Sequence, residues 1–182
     1  MSNTHREVPI DLDELATMMS ENMDEARKFL DTQTGTLHLL SDDLFKDSFL
    51  SDVDDDEDED TEGAGEADLP QWERDLLPIV HAIENDDTGR YVELPDPDPA
   101  DDAKCMRDFA YSLDDASERE RLLDALCGSH PFRRFRQSLS KRETREAWWA
   151  YRDARYREWA AKWLESLGIK AIPRGQGGSR RQ

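Results

Sequence analysis

"HPFRRFRQSL", residues 130–139, and the segment behind it, "SKRETREAWWAYRDARYREWAAKWLESLGI", residues 140–169, decide how this chain folds. Both interleave arginines with aromatic rings, and the same letters could describe a grip on nucleic acid or helices pressed into a core. A helix turns once in about 3.6 residues, so Phe132, Phe135 and Leu139 share one face of the first segment, while Arg133, Arg134 and Arg136 point elsewhere. In the second, Trp149, Tyr156, Trp159, Trp163 and Leu167 keep the same spacing, with Arg145, Arg152 and Arg155 to the side and Glu143, Glu146, Asp153 and Glu158 among them. Binders of single strands stack bases on rings that face solvent, at about 1–3 kcal/mol per base. Helical spacing turns these rings inward instead, and the arginines become surface partners of the chain's own acids, each pair worth under ~1 kcal/mol.

The flanking sequence agrees with a helical core. In residues 96–113, "DPDPADDAKCMRDFAYSL", Asp98 can cap a helix and Pro99 suits its first position, with Cys105, Met106, Phe109 and Leu113 at helical spacing behind them. Residues 117–128, "SERERLLDALCG", open on a capping box, Ser117 to Glu120, and close on Gly128, which tolerates the left-handed conformation that ends helices. Ser129 or His130 caps the next helix, with Pro131 just inside it. Ser140 and Glu143 repeat the capping box for the longest helix, which Gly168 stops. The predicted core is Phe109, Leu113, Leu123, Leu126, Phe132, Phe135, Trp149, Tyr156, Trp159 and Trp163.

Toward the N-terminus the pattern changes. "IDLDELATMMSENM" places Asp11 three residues before Glu14 and spaces Leu12, Leu15, Met18 and Met19 for a short amphipathic helix. "RKFLDTQTGTLHLL", residues 27–40, predicts a hairpin whose loop uses Gly35 for a positive φ. "LPQWERDLLPIVHAIEN", residues 69–85, is helical through Trp72, Leu76, Val80 and Ile83, with a break or late start at Pro78, and "RYVELP", residues 90–95, reads as a strand pairing with the hairpin.

Charge is divided along the chain, which carries a net -19. Residues 1–102 hold 32 acidic and 6 basic residues, whereas residues 103–182 hold 11 and 18. Between Asp52 and Asp68, 11 of 17 residues are acidic and only Val53 is a sizeable apolar one, so residues 52–68 predict a flexible acidic loop. Residues 173–182, "PRGQGGSRRQ", predict a disordered basic tail. Around these lie residues 1–51, the N-terminal helix and hairpin, and residues 69–172, the helical remainder of a single domain.

Two cysteines, an N-terminus without an apolar signal core and the absence of any run of about 18 apolar residues point to a reduced, cytoplasmic setting and no membrane partner. Cys105, Cys127, His81 and His130 lack the close pairs that zinc sites use, and "DVDDDEDED" lacks the glycine and glutamate of a calcium-binding helix-loop-helix. Cys127 near His130 invites an activated thiolate, yet the pair reads more simply as one helix's end and the next one's cap. No phosphate loop, nucleophile elbow or dinucleotide fingerprint occurs. No catalytic residue, metal or cofactor is expected.

"RYVELP", "MRDFAYSL", "LLDALCGSHPFRRFRQSL" and "AWWAYRDARYREWAAKWLESLGI" together resemble the uncharacterised protein family (UPF) 0158, a bacterial family. The likeness runs from Arg90 to Ile169, and "LDTQTG" at residues 30–35 resembles the family's hairpin. Two features depart from its pattern: Cys127-Gly128-Ser129-His130 stands where small residues or glycine are usual, and the acidic segment is longer. The resemblance implies a fold and no catalytic residues.

The expectation is an α+β protein in which a small antiparallel sheet, the hairpin plus one strand, packs against a C-terminal bundle of four or five helices. Its expected role is a non-catalytic, regulatory interaction protein of the cytoplasm that binds a protein partner. Two rivals use the same residues differently: a nucleic-acid binder through Arg133, Arg134, Arg136, Arg142 and Arg145 with the tail arginines Arg174, Arg180 and Arg181, or an acidic mimic of nucleic acid through residues 52–68.

Overall fold

The computed structural model describes residues 5–45 and 70–174. In chain order its elements are β1 (Arg6–Pro9), α1 (Leu12–Ser20), β2 (Ala26–Asp31), β3 (Leu37–Ser41), α2 (Gln71–Arg74), α3 (Leu77–Glu84), β4 (Tyr91–Glu93), α4 (Pro99–Ser112), α5 (Ala116–Leu126), α6 (Pro131–Ser138), α7 (Arg142–Ser166) and β5 (Ile169–Ile172). The class is α+β. Two compact units organise the chain, one drawn from Glu7–Ile10, Met23–Leu94 and Ile172 onward, the other from Met1–Arg6, Asp11–Asn22 and Pro95–Ala171.

The first unit holds the three-stranded antiparallel sheet, in order β3-β2-β4. Its turn is made by chemistry local to "DTQTG". The Asp31 carboxylate accepts the amides of Gln33 (2.8 Å) and Thr34 (3.2 Å), and the Gly35 amide closes onto the Asp31 carbonyl at 2.8 Å. Gly35 sits at φ 76°, and a Cβ there would stand 2.3 Å from the Pro9 carbonyl oxygen, so the position excludes any side chain. Because neighbours across a ladder share a face, the register Arg27↔Leu40 and Phe29↔His38 puts Phe29 and Leu40 on one side. They pack there with Leu44, Phe45, Leu77 and Val80. Pro78 falls in the first turn of α3, where a missing N–H is harmless, so the expected late start is present.

In the second unit helices α4, α5, α6 and α7 bring together Cys105, Met106, Phe109, Ala110, Leu122, Phe135, Leu139 and Trp148. The rings of Phe109 and Phe135 meet Trp148 edge-on, with centroids 5.2 and 5.0 Å away. Helix α1, capped by the Asp11 carboxylate on the amides of Asp13 and Glu14, buries Leu15, Ala16 and Met19. Arg152 of α7 donates to the Ser20 carbonyl (2.9 Å) and Arg157 pairs with Asp13, fixing α1 along α7.

Several expectations are corrected. In α7 the buried series is Thr144, Trp148, Tyr156, Ala160 and Leu164; Trp148 is 2% exposed and Trp149 44%, so the predicted stripe was displaced by one residue at its start. Leu122, rather than Leu123, is fully buried, while Leu113, Leu123, Leu126, Phe132 and Trp159 pack half-buried against the cluster. Trp163 is half-buried and Leu167 exposed. Helix α5 is capped by Asp115, whose carboxylate accepts the amides of Ser117 (3.0 Å) and Glu118 (3.2 Å), not by Ser117. Helix α7 begins with Lys141 at the cap position and no side-chain cap, not with a Ser140–Glu143 box. His130 occupies the cap position of α6 in the left-handed region, φ 54°, and its side chain caps nothing.

Strands β1 and β5 were not foreseen. They run parallel: Arg6 donates to the Gly168 carbonyl at 2.9 Å and Ile10 to the Ile172 carbonyl at 3.2 Å. Their pairing joins residues from opposite ends of the described chain, which no pattern of neighbouring residues announces. Beyond β5, Arg174 donates to the carbonyls of Gly35 (2.8 Å) and Pro9 (3.4 Å). Arg180, Arg181 and the acidic residues 52–68 lie outside the described residues.

Candidate interaction surface

The five arginines singled out in the sequence separate into two groups. Arg134 donates to the Cys127 carbonyl (2.5 Å), closing the turn between α5 and α6. Arg142 pairs with Glu146 one helical turn away (2.7 Å). Arg145 donates to the Leu139 carbonyl (3.3 and 3.4 Å), satisfying an orphan acceptor at the end of α6 and tying that end to α7. Arg133 and Arg136 are exposed, one turn apart on α6, and their side chains have no hydrogen bond or ion pair among the described residues.

Trp149 is the residue that periodicity misplaced. Adjacent helical residues differ by about 100° around the axis, so two consecutive tryptophans cannot both point to the middle of one core. That signal was in the sequence; which of the two faces out is set by packing, because Trp148 fills the space between Phe109 and Phe135. Trp149 stands one turn beyond Arg145, with Glu146 and Asp153 a turn to either side. Phe135 is buried and Phe132 and Trp159 are half-buried, so no groove of bare rings runs beside the arginines.

Behind this surface lies an ionic node. Glu118, 5% exposed, accepts from the Thr144 hydroxyl (2.9 Å), Arg121 (3.0 Å) and Lys141 (2.9 Å), and Lys141 also reaches Asp115 (2.8 Å). Burial alone would raise the Glu118 pKa, but Lys141 and the Thr144 hydroxyl outweigh it and hold the carboxylate below its ordinary value. The node fastens the start of α5 to the start of α7.

Groups with catalytic or metal-binding potential are placed as follows. Cys105 is buried in the core, and burial pushes its thiol up to about 11, while Cys127 is exposed at the end of α5. Burial, then the hydrogen bond to Asp102 (2.8 Å), raises the Tyr156 hydroxyl as well. A 400 Å³ groove between α5 and α6 is lined by Glu120, Asp124, Arg121 and Arg134, two carboxylates against two guanidinium groups already engaged elsewhere. Among the described residues, no three of His, Cys, Asp and Glu gather closely enough to hold a metal ion. No helix of the described residues is long and apolar enough to cross a membrane.

Fold and surface thus define an α+β protein whose helical unit presents an exposed indole and uncommitted guanidinium groups. The chain belongs to the uncharacterised protein family UPF0158, whose sequence profile matches residues 65–176. It is 34% identical over 70 residues to a UPF0158 protein of Pseudomonas aeruginosa, a match covering 38% of this chain and 46% of that relative, so the likeness spans about half of the relative's length. No solved structure matches.

Proposed function

We propose that this protein is a non-catalytic, regulatory interaction protein of the bacterial cytoplasm, and that it binds a protein partner through the exposed side of α7. The observation that carries the reading is Trp149, a large ring 44% exposed in a helix whose other tryptophans are buried or half-buried. Tryptophan and arginine are enriched among the residues that dominate protein interfaces, because a large flat side chain contributes much contact area at little entropic cost. The commitment of Arg134, Arg142 and Arg145 to contacts within the chain weighs against a surface built to track phosphates.

Affinity capture from native lysate, with and without nuclease, tests the reading when the intact chain is compared with Trp149→Ser. A nuclease-resistant partner retained by the parent and lost by the variant is expected. Capture that nuclease abolishes, or that the substitution leaves unchanged, contradicts it.

A further inference from the structure

In the unit that holds the three-stranded sheet, and independently of Trp149, we propose that β3 takes an extended segment of a protein partner as a fourth, antiparallel strand. Apolar residues of that segment lie beside Leu37 and Leu39, and lysine or arginine lies where it passes Ser41. The backbone shows which groups are open to it. The Asp31 amide donates to the Thr36 carbonyl (2.9 Å) and the Asp42 amide to the Glu25 carbonyl (3.1 Å), so Thr36, His38, Leu40 and Asp42 bond toward β2. Bonding direction alternates along a strand, so Leu37 and Leu39 turn both N–H and C=O to the outer edge, where neither has a hydrogen-bond partner among the described residues. Edge strands are commonly guarded by proline or a charged side chain. Strand β3, "LHLLS", carries neither lysine, acid nor proline, and Leu39 is 46% exposed. The opposite edge, β4, is only three residues long and ends on Glu93.

Charge selects the chemistry of the added strand. Beyond Ser41 the chain continues into Asp42 and Asp43, with Glu25 across the ladder from Asp42. Arg27 is the cation that acts on Asp42, and it is already bound to Glu93 through two nitrogens (2.7 and 2.9 Å), with Glu84 drawing on the same charge. Lys28, opposite Leu39, is 2% exposed, and burial holds His38 below its ordinary pKa. Glu25, Asp42, Asp43, Glu84 and Glu93 therefore outnumber Arg27 and Lys28. At the Leu37 end Thr34 and Thr36 are uncharged, and Asp31 is buried against Arg90 (2.6 Å). A basic group is favoured at the Ser41 end alone. Residues opposite each other on a ladder share a face, so an apolar partner residue across from Leu39 covers its exposed side chain. Antiparallel addition continues the pairing of this sheet, is the more stable per residue, and puts the basic residues before the apolar ones. A second copy of the chain would bring its own Asp42 and Asp43 and a net charge of -19 to the same edge, which disfavours it.

The test is fluorescence anisotropy on the full chain at low salt with three labelled peptides: Lys-Lys-Thr-Val-Thr-Val-Thr, the same peptide N-methylated at both valine amides, and Glu-Glu-Thr-Val-Thr-Val-Thr. The first is expected to bind, and the other two at least about tenfold more weakly. Leu39→Pro removes an outward N–H that β2 does not use and should abolish binding. Glu25→Gln with Asp42→Asn should weaken it. Circular dichroism confirms that each variant is folded, and if Leu39→Pro unfolds, the methylated peptide on the parent chain decides. No binding of the first peptide, equal binding of the methylated or the acidic one, or indifference to a folded variant overturns the proposal. Sedimentation velocity compares the parent with Leu39→Pro. A dimer that the substitution dissociates would make a second copy the occupant and overturn the assignment, whereas a mass unchanged by the substitution supports it.

Discussion

Alanine replacements of two consecutive tryptophans, made one at a time, should differ sharply in cost. Trp148 is 2% exposed, with the rings of Phe109 and Phe135 at 5.2 and 5.0 Å, so its removal opens a cavity at the centre of the helical unit. An aromatic side chain buries about 150–250 Å², worth roughly 4–6 kcal/mol at about 25 cal/mol per Å². Alanine recovers part of this, and large-to-small aromatic replacements in cores cost about 3–5 kcal/mol. At roughly 2–4 °C per kcal/mol for a chain of this size, Trp148→Ala should lower Tm by about 10 °C. Trp149, 44% exposed and outside the cluster, should cost under about 1 kcal/mol. Urea denaturation followed by far-UV circular dichroism, with Tm from thermal scans, measures both. Equal losses, or a larger loss for Trp149→Ala, would show that α7 is rotated from the orientation described and would remove the basis for the interaction surface.

Three further outcomes follow from particular contacts. Gly35→Ala should cost about 2 kcal/mol or more, since left-handed backbone strain adds to a Cβ 2.3 Å from the Pro9 carbonyl, whereas Gly89→Ala, at φ 72° with nothing within 4 Å, should cost only about 1 kcal/mol; paired urea midpoints compare them. Burial alone would raise the Asp31 pKa, but the Arg90 guanidinium (2.6 and 3.1 Å) and the amides of Gln33 and Thr34 hold it down to about 2. Its stabilisation, about 2 kcal/mol, is therefore complete above the ordinary carboxyl value of 3.8 and fades as pH falls toward 2. Asp31→Asn should destabilise at neutral pH and approach the parent in acid, and a deficit that persists undiminished at low pH would contradict this assignment. Finally, iodoacetamide should label exposed Cys127 in the native protein and spare Cys105 until unfolding, as peptide mapping would show; native labelling of Cys105 would place it outside the core.

Much of this was legible because local rules and tertiary structure agreed. Asp98 with Pro99, Asp11 before α1, Gly128 at φ 100° and Gly168 at φ 68° mark helix ends by chemistry that acts within a few residues. The "DTQTG" turn is similarly self-contained, since Asp31 bonds its own neighbours. The cap of α5 was misread from the same kind of signal. The capping-box spacing pointed to Ser117, whereas the Asp115 carboxylate accepts the amides of Ser117 and Glu118 and is also paired with Lys141, 26 residues away.

The surface was legible in its residue types and not in their state. Arg134 and Arg145 read like Arg133 and Arg136 in sequence, yet their partners are backbone carbonyls exposed by the ends of α5 and α6, which exist only once those helices have formed. Strands β1 and β5 stand 163 positions apart, counted from Arg6 to Ile169, so no pattern of neighbouring residues announces their pairing. Class, helices, hairpin and the inward turn of most rings could be read from the residues alone, because periodicity and caps are properties of neighbouring residues. Which tryptophan is core, which arginines remain uncommitted and which strands pair emerge on folding, because those depend on what the rest of the chain places opposite them.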